Sequence, residues 1–381
     1  MLVDCSIKTR LKQKIPNLKL THLNDFTANV TLEGYGVGDN RIACCWGSNR
    51  SVKKKSMKFR ILLSKETAFF YWLQVISGWD KTASVDKATY CYYSSFVVDN
   101  TESVLLKIRQ IINSHDNPRS FLQLLYSGDF SDNREAKELI EISNDLRRYF
   151  DVLWSDCFSS LEAWLYALEK YDFDRFDDSI NNIVRFMGSS FDYRSEQKIY
   201  LLPNIPSKGT VGHRIRGSDF ILLRPSMLYN DSKLNQVVCV IIHELLHDIE
   251  FSSSITRIYM KQSYREYIES SGLLAPVGYN WKEMFIEALV YCFANNITGG
   301  YLRPEIFGER RPILSDFERK FDVFFKEHGL KTGYVISLAA LCVLSNVEDY
   351  INKGLTVDKS IFDVISKEFC KKYLTEKTPK Y

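Results

Sequence analysis

The segment Val237-Val238-Cys239-Val240-Ile241-Ile242-His243-Glu244-Leu245-Leu246-His247-Asp248-Ile249-Glu250 constrains this chain more than any other. It sets a His-Glu-x-x-His pattern inside a strongly apolar run. Apolar residues before the first His, and Leu245 and Leu246 at the two variable positions, predict a buried helix. Residues four apart lie one above the other on a helix, so His243 and His247 can present two imidazole nitrogens to one metal ion. Glu244 sits one position round, close enough to hold a water at the metal without being a ligand. Zinc hydrolase chemistry asks for these three residue types at this spacing. As ordinary core residues they would be costly, because two histidines and a carboxylate do not enter an apolar helix face without partners.

With these residues the chain resembles the zincin metallopeptidases. Their extended pattern wants uncharged residues around the core, and Asp248 departs from it just after His247. The metzincin branch needs another His six residues on, where this chain has Ser253. The gluzincin branch takes its third ligand from a Glu on a later helix, often followed by a small residue. The stretch Trp281-Lys282-Glu283-Met284-Phe285-Ile286-Glu287-Ala288-Leu289-Val290-Tyr291 fits, with Glu283 and Glu287 lying 36 and 40 residues beyond His247. Both share one helix face, so one could bind the metal while the other braces a ligating His. The Glu-Ala pair and the apolar flanks Ile286 and Leu289 favour Glu287 as the ligand, with Glu283 as the alternative and Glu250 a distant third.

What the resemblance implies is an α+β fold. A zincin-like catalytic domain, with a small mixed sheet, the motif helix and a helical C-terminal part, follows a β-rich and helical N-terminal region. One Zn2+ per chain is expected on His243, His247 and Glu287, with Glu244 as the general base and a peptide or protein as substrate. An oxyanion donor could be His328 or one of several tyrosines. In zincins a sheet edge pairs with extended substrate, and chain order offers Asp219 to Arg224 for that edge. Asn230 or Asp231 would cap the motif helix.

Length and composition set outer bounds. The 381 residues allow two domains, and 45% hydrophobic with 14% aromatic residues supply a core. A net charge of +3 gives no nucleic-acid footprint. The first residues lack a signal-peptide pattern, and the longest apolar run, Tyr334 to Leu344, is too short for a bilayer. Nine scattered cysteines form neither a disulfide framework nor a zinc-ligand spacing, which points to the reducing cytoplasm. Neither a nucleic-acid nor a membrane partner is expected, and the oligomeric state is open.

In chain order, Phe26 to Leu32, Arg41 to Trp46 and Met57 to Leu63 read as strands. Lys53-Lys54-Lys55 reads as a solvated hairpin loop. A helix is expected over Glu66 to Ser77 and a strand over Ala88 to Val98. Helices open at Thr101 and at Pro118, and Gly128 to Asn133 marks a boundary between an N-terminal domain, 1–130, and a zincin-like domain, 131–381. Beyond it, Glu135 to Lys170 is amphipathic and helical, as is Asp177 to Met187, which ends at Gly188. Lys198 to Leu202 and Asp219 to Arg224 are strands stopped by prolines. The Gly-rich loop between them carries His213, which could be a ligand but reads rather as an exposed loop residue. Helices at 315–326, 334–350 and 360–373 would wall the cleft. The N-terminal half is unexplained by peptidase chemistry, and it motivates a second reading: a non-catalytic interaction protein that retains a zincin fold, its metal structural or absent.

Overall fold

A computed structural model of the chain describes residues 57–78, 87–97, 101–114, 118–128, 133–190, 195–206, 209–214, 218–249, 254–272, 280–295, 300–308 and 332–377. Strands expected over Phe26 to Leu32 and Arg41 to Trp46 lie outside these residues. So do the loop at Lys53 to Lys55, the helix at 315–326, and Glu250, Ser253 and His328.

Strand β1 (Phe59–Leu62) leads into α1 (Lys65–Ile76), α2 (Lys87–Ser94), α3 (Glu102–Ser114), α4 (Pro118–Ser127), α5 (Arg134–Ser143), α6 (Arg147–Glu169) and α7 (Asp177–Phe186). Strands β2 (Gln197–Leu201), β3 (Val211–Arg214) and β4 (Phe220–Arg224) follow. The chain then continues through α8 (Leu234–Leu246), α9 (Ser254–Ser263), α10 (Trp281–Phe293), α11 (Arg303–Phe307), α12 (Thr332–Asn352) and α13 (Lys359–Lys377). The result is a mostly helical α+β fold with one small mixed sheet.

The sheet has the order β1-β2-β4-β3. Its first three strands run parallel, and β3 joins β4 antiparallel. This overturns the expectation that Asp219 to Arg224 is a sheet edge. β4 is flanked on both sides, and all five of its residues are buried. A continuous apolar run such as Phe220-Ile221-Leu222-Leu223 is what a doubly covered strand requires. Among the described strands the edges are β1 and β3, and the edge beside the motif helix is β3, a four-residue strand containing Gly212 and His213. His213 therefore lies in a strand, not a loop. Across the sheet, Ile61, Ile199 and Ile221 form a row that ends at Arg214 on this edge.

The strand expected over Ala88 to Val98 is likewise a helix as far as Ser94, with Val98 outside the described residues. Its Tyr and Thr content suits a strand, but the buried residues of α2 are Thr89 and Tyr93, four apart on one helical face. Tertiary contacts hold this face: the Tyr93 hydroxyl donates to the Pro203 carbonyl at 2.6 Å, and Trp72 Nε1 donates to the Tyr93 carbonyl at 3.3 Å. The helix expected from Glu66 is α1, started by Ser64, whose hydroxyl accepts from the Thr67 amide. The long stretch after Asn133 divides into α5 and α6 at a 3-10 turn, Asn144–Leu146.

Helix α8 packs along β3 and β4 and touches α6 and α10, while α10 packs on α12 and α12 on α13. Val237, Val238, Cys239, Ile241, Ile242 and Leu245 of α8 are fully buried. At about 25 cal/mol per Å2 of apolar area, each such aliphatic side chain contributes roughly 1.5–3 kcal/mol, so the histidine-bearing helix is among the firmly anchored parts of the fold. Among the described residues no helix is long and apolar enough to cross a membrane.

Candidate metal centre

Asn230 begins the local structure that carries the motif. Its side-chain oxygen accepts from the Ser232 amide, capping a 3-10 turn, Asp231–Lys233, that runs directly into α8. Near the other end of α8, His243 and His247 stand one helical turn apart with ring centroids 4.9 Å from each other. His243, Glu244 and His247 can each offer one ligand atom, all within 4.8 Å of one another.

Two features orient His243. Its Nδ1 lies 3.0 Å from the Ala294 carbonyl oxygen, just past the end of α10. A carbonyl only accepts, so Nδ1 carries the proton and the Nε2 lone pair of the neutral ring is left for a ligand. The Tyr291 ring packs against the imidazole, with centroids 4.8 Å apart. Gly300 approaches the same backbone closely: a Cβ there would sit 2.5 Å from the Cys292 carbonyl oxygen, and its φ of +55° favours glycine as well.

Helix α10 brings up Glu287. Its Oε1 lies 3.5 Å from His247 Nε2, and its Oε2 lies 3.7 Å from His243 Nε2. Both exceed an ordinary hydrogen-bond length, and each is an ion pair only when its imidazole is protonated. Glu283 is elsewhere. It is exposed at the helix start, where its carboxylate accepts from the Asn280 amide at 3.1 Å and Asn280 Oδ1 accepts from the Lys282 and Glu283 amides. That is a capping box, which occupies Glu283 at the helix terminus.

Glu244 faces the edge strand. The Arg214 backbone amide hydrogen-bonds its carboxylate. Gly212 leaves the room it needs, since a Cβ there would meet Glu244 Cγ at 2.6 Å and Val240 Cγ1 at 2.7 Å. Strand alternation directs His213 to the opposite face, although its charge is still felt by His247. Asp248, the charged residue just past the motif, pairs with Arg214: Nη2 and Oδ2 are 2.6 Å apart, with side chains 3% and 14% exposed.

The electrostatics follow from burial and these partners. Burial pushes the Glu244 carboxyl up to about 7, Glu287 adds to the rise, and His243 and Arg214 oppose it. Burial brings His247 down to about 4 despite the nearby Glu287 charge. Burial also acts to lower His243, but the Glu287 carboxylate outweighs it, helped by Glu244 and the Ala294 carbonyl, so its pKa lies above the ordinary imidazole value. Glu287 is the reverse case: burial would raise it, and the two imidazoles hold it below the usual carboxylate range.

The His243-Glu244-His247 cluster could hold a metal ion. A four-coordinate zinc with bonds of ~2.0–2.1 Å places its ligand atoms roughly 3.4 Å apart. Glu287 meets the two rings through different oxygens, Oε1 3.5 Å from His247 Nε2 and Oε2 3.7 Å from His243 Nε2. Comparison with family models, curated proteins and solved structures found no match to this chain. The site therefore stands on its own geometry.

Gly212, Arg214 and Ala294 carry parts of this centre that sequence reasoning missed. A Gly within a strand signals close backbone approach, and the Gly-rich character of this stretch was a usable sign. Asp248 signalled a buried partner without saying which. Nothing local marks Ala294, since what it contributes is a main-chain carbonyl.

Proposed function

We propose that the protein is a zinc-dependent hydrolase of peptide bonds, with His243, His247 and Glu287 holding the metal and Glu244 acting as general base. The observation that carries the reading is the approach of Glu287 to both Nε2 atoms from a separate helix, with Glu244 alongside but turned to the edge strand. A bound zinc ion would supply Lewis acidity, acidifying a water and polarising the scissile carbonyl.

The chain's own groups do the rest. Glu244 accepts the water proton as the water attacks and passes it to the departing amine. A carboxyl poised near 7 is suited to both halves of that transfer at neutral pH. Ala294 fixes the His243 tautomer, and the Tyr291 ring restricts its rotation. The segment 131–381 carries every proposed ligand, and the described residues up to 130 pack against it. In the described part they contribute β1 to the sheet.

The test is Glu244→Gln. The variant should bind one zinc per chain, as wild type does, and lose hydrolysis of a quenched-fluorescent peptide mixture by about a hundredfold or more. Full activity in the variant would remove Glu244 from the role of base. A wild-type protein that takes up no zinc would favour the non-catalytic interaction protein instead.

A further inference from the structure

We propose that the Arg214–Asp248 ion pair is a latch: it fixes edge strand β3 against the end of the motif helix, and so holds the Glu244 carboxylate in place. Both are positioning residues, and their effect on turnover rests on the reading of Glu244 as the base.

The geometry is unusual for a bridge that serves stability alone. An Arg–carboxylate pair is strongest when the guanidinium fork engages two-on-two. Here Arg214 works through a single nitrogen. Nη2 meets Asp248 Oδ2 at 2.6 Å, Gln197 Oε1 at 2.8 Å and the Ser218 carbonyl oxygen at 2.7 Å. Nε and Nη1 are buried and, among the described residues, have no hydrogen-bond partner. One atom thus ties together β2, the approach to β4 and the residue that follows His247. Buried ion pairs are weak sources of stability, and their attested use is to select one arrangement.

β3 needs such a fastening. It is four residues long, contains Gly212 and pairs, among the described residues, with β4 alone. Yet it makes two contacts with Glu244: the Arg214 amide on the carboxylate, and the Gly212 backbone beneath Cγ. A shift of β3 along α8 would move both. The side chain and the main-chain amide of one residue, Arg214, therefore serve one purpose. The ion pair sets the strand, and the strand sets the carboxylate.

The test replaces the pair by apolar side chains, Arg214→Met with Asp248→Leu, a change that commonly leaves stability intact. The expected result is a native-like thermal midpoint and a zinc dissociation constant within about threefold of wild type. Amide exchange over 211–214 should be faster by about tenfold. Hydrolysis of the quenched-fluorescent peptide mixture should fall about tenfold or more in kcat with KM little changed. Unchanged exchange over 211–214 overturns the latch, and so does an unchanged kcat in an active enzyme. If wild type hydrolyses nothing, the hydrolase reading fails, and the exchange result still decides the latch. Should the double variant not fold, Arg214→Lys is read in the same assays: it keeps the charge but not the reach, and the same directions are expected.

Discussion

His243 on the motif helix donates its Nδ1 proton to the carbonyl oxygen of Ala294, 3.0 Å away at the end of the helix that carries Glu287. One backbone carbonyl thereby couples the two halves of the candidate centre. Gly300 supports that carbonyl's helix end, at a distance no side chain could share. Gly300→Ala should shift it and weaken zinc binding by about tenfold, the lower range for disturbing such a supporting contact. Competition with a chromogenic chelator reads this directly, and an unchanged dissociation constant would detach Gly300 from the site.

The two glutamates of α10 should separate cleanly. Glu287→Ala removes a proposed ligand and should lower zinc affinity by about a hundredfold or more. Glu283→Ala breaks a capping box and should cost ~1 kcal/mol of stability with zinc affinity unchanged. Calorimetric titration and denaturant unfolding of the two variants distinguish them. Loss of metal in Glu283→Ala would reverse the assignment.

Gly212→Ala tests the strand–helix contact from the other side. Its methyl would have to displace Glu244 Cγ and Val240 Cγ1, which stand 2.6 and 2.7 Å from the Cβ position. Zinc should remain bound while kcat falls by about tenfold to a hundredfold, as expected of a misplaced base. A variant with wild-type turnover would show that Glu244 has latitude this packing denies.

Proton competition gives a pH prediction, best measured in Glu244→Gln so that this carboxyl's own proton does not enter. Metal ligands bind deprotonated. His247, held at about 4, is already neutral at pH 5 to 7 and releases no proton there. His243 is raised above the ordinary 6.5 by Glu287, so the fraction protonated grows as pH falls, and zinc must displace that proton. The apparent dissociation constant should thus rise as pH drops, by about tenfold per unit once below the His243 pKa, with the onset above pH 6.5. A pH-independent dissociation constant between 5 and 7 would contradict the charge arrangement around His243.

Short-range periodicity made much of the centre readable in advance. The spacing of His243, Glu244 and His247 fixes their common placement on any helix, and the apolar run around them fixes that helix's burial. The helix α1 and the C-terminal helices α12 and α13 follow from the same local rules, whereas Asn230, expected at the start of the motif helix, caps the 3-10 turn before it and α8 begins after Lys233 with no side-chain cap. Helix α2 did not, because tyrosine and threonine suit a pleated surface as well as a helix, and only the contacts of Thr89 and Tyr93 decide between them.

A pair of imidazoles and a carboxylate presented together by one buried helix could be read from the chain, since that depends only on the 3.6-residue turn. Three features needed the folded chain: Glu287 comes to the rings while Glu283 caps its own helix, β3 and not β4 is the edge beside the motif helix, and Arg214 answers Asp248. The physical reason is common to all three. Each depends on where separate elements come to rest against one another, and the packing that brings them there is set by the whole core and leaves no repeat in the chain to be read.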